Sequence, residues 1–290
     1  MKQPCNSNII ICSIVRNAER GLRRNIPIMN EFCKEFQDYR CYVYENDSTD
    51  ATKELLMQWQ DSNKEKVFVC TNDTDHSKTI PSAKSVKGIN PFFSHKRIDK
   101  MSHLRNQYMK FAHSLEERGF RADYLMVIDL DIARIDVASL MTSFAKGIEW
   151  DAVTAFGYSL SPQLRRRYHD TYALTLWGDE KNPQTEKKIK EYTIRFAQLK
   201  PNDEWIRVAS AFGGAAIYRY EAVKGVYYTE PAIDNDDIRV EVKCEHFSLY
   251  KQIMERGYDR FYINPDMRLK YQDLTWKIIW GSLKRMIRLD

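Results

Sequence analysis

The chain has 290 residues, 43% hydrophobic and 29% charged, with 45 Lys plus Arg against 40 Asp plus Glu and only 11 Gly and 9 Pro. A chain of this length buries roughly 75% of the surface it exposes when unfolded, and its low Gly and Pro content with 12% aromatics excludes collagenous, low-complexity and disordered classes. The net charge of +5 is too small to call for a nucleic-acid partner, while six scattered cysteines without a C-x-x-C pair argue against a zinc ribbon or disulfide framework and for a reducing compartment.

The apolar run from Ile9 to Val15 is too short to span a membrane and fits a buried strand. Leu22, Ile26, Met29, Phe32, Cys33 and Phe36 then recur at helical spacing. A second strand, Cys41 to Tyr44, stops at Glu45-Asn-Asp-Ser-Thr-Asp50, where Ser48, Thr49 or Asp50 can cap a helix carrying Leu55, Leu56 and Trp59. Val67 to Cys70 is a third strand, and residues 71–96 form a long polar loop. Ile98 to Arg118 is a helix, and Tyr124 to Ile128 is a strand running straight into Asp129-Leu-Asp131. Strand and helix alternate to this point, which predicts a mostly parallel sheet with covering helices. After residue 148 the pattern is mixed: strands at 152–156, 215–218 and 261–263, a helix over 244–256, and a polar, irregular stretch over 160–205. No repeat or linker divides the chain, which predicts one compact α/β unit over 1–270 followed by a basic amphipathic helix over 271–290.

Asp129 and Asp131 carry the strongest chemical signal. Two carboxylates at the carboxyl end of a buried strand lie where open α/β sheets bind ligands, and their mutual repulsion favours a hard divalent cation, Mg²⁺ or Mn²⁺. Glu45 and Asp47 follow the second strand in the equivalent position and are candidates for a nucleotide's base or ribose. Arg16, with Asn17, ends the first strand, and Arg105, with Asn106, lies on the helix before the D-x-D strand; a guanidinium at either place can pair with a diphosphate. Glu245 and His246 open the late helix, as candidate base and metal ligand. Gly213-Gly214 supplies a close backbone approach or an unusual turn. Arg165 to Arg167 form a basic knot that suits an anionic acceptor or a solvated loop.

The segments YENDSTD, IDLD, SAFGGAAIYR (210–219) and CEHFSLYKQIMERGYDRFYINPDMRL (244–269) together resemble the fungal capsule-associated α-1,3-mannosyltransferase family and its bacterial and viral relatives, from about residue 8 to residue 270. The resemblance implies a GT-A glycosyltransferase fold: a Rossmann-like, mostly parallel mixed sheet flanked by helices, in one domain. It implies a metal-dependent transferase that takes a sugar from a nucleotide donor, GDP-mannose first and a UDP-sugar next, to a glycan acceptor with retention of configuration. By position, Asp129 and Asp131 would hold Mn²⁺ or Mg²⁺ with His246 as third ligand. Arg16, Glu45, Asp47 and Arg105, with Asp129, would hold the nucleotide, and Asp170 and Glu245 would lie near the reacting sugars. The stretch 160–205, where acceptor specificity resides, falls outside the close resemblance. The fungal members' N-terminal anchor is not seen here, so the expected location is cytoplasmic, at the cytoplasmic face of a membrane.

Glycosyl transfer leaves charge on a diphosphate, which a metal and arginines stabilise, while the sugar gains oxocarbenium character. A retaining enzyme can use the leaving phosphate as proton acceptor. An inverting one, the alternative, needs a carboxylate, with Glu245 first, then Asp170, then Asp236 or Asp237. Two other classes compete. Dehalogenase-type phosphatases place D-x-D on their first strand, whereas here it follows three others and Ala133 stands where Thr or Val is expected. A non-catalytic glycan-binding scaffold would be favoured by loss of either carboxylate, and both are present. Over 274–289, Trp276, Ile279, Trp280, Leu283, Met286 and Ile287 share helical spacing with Lys277, Lys284, Arg285 and Arg288 elsewhere, which suits peripheral membrane contact or packing on the body of the domain.

Overall fold

In the computed structural model, which describes residues 1–73, 90–145, 147–161, 165–229, 239–273 and 275–287, the first half of the chain alternates strand and helix. Its elements are β1 (Asn8–Val15), α1 (Glu19–Cys33), β2 (Asp38–Asn46), α2 (Thr52–Ser62), β3 (Val67–Asn72), α3 (His95–Glu117) and β4 (Tyr124–Ile128). The apolar runs and periodicities locate each of them. The loop expected over 71–96 is shortened at both ends, and its residues 74–89 lie outside the described residues. Alternate side chains of each strand feed opposite layers. Ile9, Ile11, Met126 and Ile128 pack with Leu22, Met29 and Phe32 of α1, Leu56 and Trp59 of α2 and Leu140. Ile10, Cys12, Leu125 and Val127 pack with Leu104, Tyr108 and Met109 of α3 and with Leu249 and Ile253.

The second half holds α4 (Val137–Ala145), β5 (Ala152–Leu160), β6 (Arg166–Tyr168), β7 (Thr175–Leu176), α5 (Glu186–Arg195), β8 (Ile206–Ser210), β9 (Ala215–Arg219), α6 (Tyr220–Val223), α7 (Glu245–Glu255), β10 (Phe261–Lys270) and α8 (Trp276–Ile287). Three departures from the sequence reading stand out. The stretch 160–205 is structured, by β6, β7 and α5. The short α4 follows the D-x-D segment, with Asp136 accepting from the Ser139 N–H at 3.0 Å. β10 runs seven residues past the expected Ile263, because its pairing with β5 resumes beyond a register shift between Asn264 and Arg268. Pro265 sits in that irregularity, where a missing N–H costs no ladder bond.

The strands form one ten-stranded sheet in the order β3-β2-β1-β4-β9-β5-β10-β8-β7, with β6 on β5. β2, β1 and β4 are parallel, as are β5 and β10, and β9 is inserted antiparallel between β4 and β5. The carboxyl ends of β1, β2, β4 and β5 therefore share one edge, and the β8–β9 turn reaches it from the opposite direction.

Candidate active site

Asp129 leaves β4 at this edge, and its N–H donates to the Gly214 carbonyl at 2.9 Å. Gly213 and Gly214 have φ of 65° and 94°, a left-handed turn that only glycine adopts freely; a Cβ on Gly213 would strike the Ala155 carbonyl oxygen. The D-x-D backbone is clamped from α1. Buried Asn25 donates from Nδ2 to the carbonyls of Leu130 and Ile132, at 2.9 and 2.8 Å. Gly21 lets the helix press close, since a Cβ there would lie 2.5 Å from Asp131 Cα. The two carboxylates project into a cleft of about 420 Å³ that is also lined by Arg16, Asn46, Arg97, Lys100, Arg105, Asp170, Glu245, His246 and Tyr271.

The carboxylates of this cleft live in opposite environments. Burial, then the neighbouring Asp131, push the Asp129 carboxyl up to about 8, against the opposing pull of Arg105 and of the Tyr271 hydroxyl, which donates to Oδ2 at 3.0 Å. Asp131 is raised by burial as well. Asp170 holds a left-handed φ of 64° and is pushed up to about 7 by burial and by Glu245, with Arg105, Arg97 and the Gly213 N–H pulling the other way. Glu245 is the reverse case. Burial would raise it, but the Arg105 guanidinium above all, with His246 and the Cys244 thiol, holds it at about 2. Arg105 donates from Nε to Glu245 Oε1 at 2.8 Å, and the Cys244 thiol donates to Oε2 at 3.1 Å. The guanidinium also lies 5.1 Å from the Phe212 ring centroid.

The His246 imidazole is buried and stacked on Phe212 at 4.4 Å. Burial, then Arg105, lower it to about 3, so it is neutral, and neither ring nitrogen has a hydrogen-bond partner among the described residues. Asp129, Asp131 and His246 are not gathered into one ready ligand set: among the described residues no group of three or more His, Cys, Asp or Glu is disposed to hold a metal ion. The fit to a cation rests on the aspartate pair: two neighbouring carboxyls that line one cleft and offer the oxygen ligands a hard divalent cation takes.

Of the expected nucleotide-binding residues, Arg16, Arg105 and Asp129 line the cleft, whereas Glu45 and Asp47 do not. Glu45 is fully buried, and its Oε1 accepts from the Ser48 N–H at 2.7 Å, closing the loop after β2. Asp47 takes a φ of 55° in the same loop, and it is Asn46 between them that reaches the cleft. Asn17 ties the loops after β1 and β2 together by accepting from the Thr49 N–H at 2.8 Å. Asp236 and Asp237 lie outside the described residues. The sequence reading missed Arg97, Lys100 and Tyr271. The first two stand three residues apart on α3, in the turns before Arg105, and that helical spacing was a usable signal. Tyr271 follows the unforeseen extension of β10.

No curated protein matches this sequence. Among solved structures, the Pyrobaculum calidifontis mannosyltransferase PcManGT, in complex with GDP-Man and Mn²⁺, is similar at 11% identity and TM-score 0.49, over 98% of this chain and 65% of its own. TarS 1–349 of S. aureus in complex with UDP-GlcNAc gives 11% identity and TM-score 0.45, over 97% of this chain and 66% of its own. The glucosyl-3-phosphoglycerate synthase of Mycobacterium tuberculosis gives 12% and 0.42, over 97% and 77%. The chain thus spans just under two thirds of the length of PcManGT. The family profile described as cryptococcal mannosyltransferase 1 matches residues 8–248, from β1 into α7, and the chain belongs to that family, as its motifs implied.

Proposed function

We propose that the protein is a metal-dependent GT-A glycosyltransferase that moves mannose from GDP-mannose to a glycan hydroxyl. One observation carries this reading: a single cleft is lined both by the Asp129–Asp131 pair and by Arg16, Arg97, Lys100 and Arg105. That distribution matches a ligand whose diphosphate and divalent cation bring charges of both signs. Membership of a mannosyltransferase family supports the sugar.

Asp129 and Asp131 would hold Mn²⁺ or Mg²⁺, with His246 offering a neutral nitrogen nearby; the cation, when bound, supplies charge stabilisation to the departing diphosphate. The chain's own residues do the rest. Arg105, fixed by Glu245 and the Phe212 ring, keeps its charge facing the cleft with no reorganisation to make during reaction. Arg16 adds an exposed cation at the carboxyl end of β1. Tyr271 orients the Asp129 carboxylate. Glu245 is a poor base, since it is strongly acidic and both its oxygens are engaged; its role is to position Arg105. In the retaining course the leaving phosphate takes the acceptor proton. A second reading, inversion with a UDP-sugar as alternative donor, is favoured by Asp170: a carboxyl near 7 in the cleft can accept a proton at neutral pH.

The membrane expectation over 274–289 joins this proposal through α8, whose Trp276 and Trp280 are 82% and 60% exposed beside Lys284, an arrangement suited to a lipid headgroup region at the cytoplasmic face. Leu274 and Arg288 lie outside the described residues, and among those described no helix is long and apolar enough to cross a membrane.

Thermal unfolding with GDP, UDP, CMP or inorganic phosphate, each with and without Mn²⁺, tests the central claim. A ligand at about 100 times its Kd adds about 2.7 kcal/mol, a Tm rise of several degrees for a chain of this size. A rise with GDP only when Mn²⁺ is present is expected; a flat response to every nucleotide would overturn the donor assignment and return weight to a non-catalytic scaffold.

A further inference from the structure

The cleft does not end at the aspartates. Asp131 and Tyr271 also line a smaller hollow of about 220 Å³. That hollow shares Arg24, Ala133 and Asp273 with a basin of about 840 Å³ beyond it. The basin lies on the same edge of the sheet, at the carboxyl ends of β5 and β10.

Cations outnumber acids in its lining by one: Arg24, Arg134, Arg166 and Lys270 stand against Glu31, Asp136 and Asp273, with Asp136 3.8 Å from Arg134 and Glu31 2.7 Å from Lys34. Asp273 answers three cations at once: Oδ2 lies 3.3 Å from Arg20 and 3.0 Å from Arg24, and Oδ1 lies 3.3 Å from Lys270. Arg166 on β6 lines the basin and has no carboxylate within ion-pair distance among the described residues. Its guanidinium carbon stands 5.4 Å from the centroid of Tyr158, and that of Arg268 stands 5.6 Å from the same ring. Arg268 loses some of its proton affinity to burial and to the charge of Arg166. Two like charges are therefore held around one half-buried aromatic ring at the end of a path from the reacting centre; Asp266 and Asp203 act on Arg268, whereas Arg166 has no carboxylate within ion-pair distance among the described residues.

We propose that this basin binds the non-reacting portion of an acidic acceptor, a saccharide bearing carboxylate or phosphate groups. The sugar ring would lie against Tyr158, and the acid groups would sit between Arg166 and the Arg24–Lys270 cluster. The inference rests on the glycosyltransferase reading for the word acceptor; the anion site itself rests on the basin alone. A neutral glycan would leave these cations repelling one another, whereas an acidic one completes them, so the basin selects for charge at a distance from the hydroxyl that reacts.

β6 supplies a matched pair of variants. Arg166 lines the basin, while Arg167, the next residue on the strand, points to the opposite face, and both are exposed. Arg166→Glu and Arg167→Glu thus change net charge equally and differ only in place. Equilibrium binding of hexagalacturonate and of neutral mannohexaose to the full chain is the measurement, with inorganic pyrophosphate added in a parallel series after the cleft has been filled with GDP and Mn²⁺. Hexagalacturonate should bind at least tenfold tighter than mannohexaose, lose tenfold or more in Arg166→Glu, and change less than twofold in Arg167→Glu. Pyrophosphate displacing it would assign the site to a diphosphate, as on a lipid-linked sugar; no displacement would assign it to carboxylates along a soluble chain. Equal binding of the acidic and neutral hexamers, or equal losses in the two variants, would overturn the proposal. Stabilisation by GDP and Mn²⁺, read on the same three proteins, reports separately on the parent reading: it should be unchanged in both variants, and its absence from all three would sink the donor assignment without touching the hexamer result.

Discussion

The two edges of the sheet use charge in opposite ways. Where β4, β5 and β10 begin, acids are answered by bases. Asp151 accepts from the Arg260 guanidinium at 2.8 Å and from its N–H at 3.1 Å, and from Arg219 at 3.2 Å; Asp123 pairs with Lys2 at 2.7 Å. The result at Asp151 is a carboxyl held below its ordinary range, despite burial that would raise it. At the other edge Asp129 and Asp170 are raised instead and Arg166 has no carboxylate partner among the described residues, although Arg105–Glu245 and the cluster around Asp273 are closed. One edge is completed by the protein and contributes to stability; the other is left for a ligand to complete, as expected of sites that give up stability for function.

The comparison breaks most sharply at Asp129. Asp129→Asn should lower mannosyl transfer on the order of a thousandfold, abolish the Mn²⁺-dependent rise in Tm with GDP, and leave the fold intact, since the amide oxygen can still accept from Tyr271. Wild-type transfer by this variant would refute the cation assignment. Glu245→Gln tests the closed pair of the open edge. It strands a buried guanidinium and should destabilise by about 3 kcal/mol, a Tm loss of about 5 °C for a chain of this size. Arg105→Met in that background should recover much of the stability but none of the transfer. A Glu245→Gln protein as stable as wild type would show that Arg105 does not depend on the pair.

How much of this was legible in the sequence follows the same division. β1 and β4 are buried on both faces and read as continuous apolar runs, so the order of residue types alone puts Asp129, Asp131 and Arg16 at their ends. The second half conceals its strands. β6 and β7 are three and two residues long, too short for any period to register. β10 is interrupted by Asn264-Pro265-Asp266, a sequence that ordinarily ends a strand. α5 was missed because its EKKIKEYTIR is mostly charged, although Thr185 caps it by accepting from the Lys188 N–H at 3.2 Å. At the site, residue types that carry chemistry were visible, and those that shape it were not. Asn25 and Gly21 are ordinary letters on a helix until the D-x-D backbone is seen pressed against them.

Asp170 separates the two stereochemical courses. If it accepts the acceptor proton, transfer should rise with pH through about 7 in the wild type, and Asp170→Asn should lose about a hundredfold or more together with that rise. If the leaving phosphate is the acceptor, the variant should retain most activity and the profile should stay flat there. Stability should hardly change in either case, because Asn tolerates the left-handed φ of 64° as well as Asp does.

The smallest effect belongs to the completed edge. The native carboxyl of Asp151 is depressed relative to the unfolded chain, so the folded state binds fewer protons and stability rises with pH across that interval. Its contribution is fully present above the unfolded value near 4 and is lost as pH falls through the lower folded value. Asp151→Asn should therefore cost about 2 kcal/mol at pH 7, the worth of charge-assisted hydrogen bonds at a buried carboxylate. The gap between variant and wild type should close as pH is lowered below about 4. Chemical denaturation at pH 7, 5 and 3 reads this directly. A gap that stayed constant with pH would mean that the Asp151 site stabilises through shape alone, and the contrast between a charge-completed edge and an open one would lose its first term.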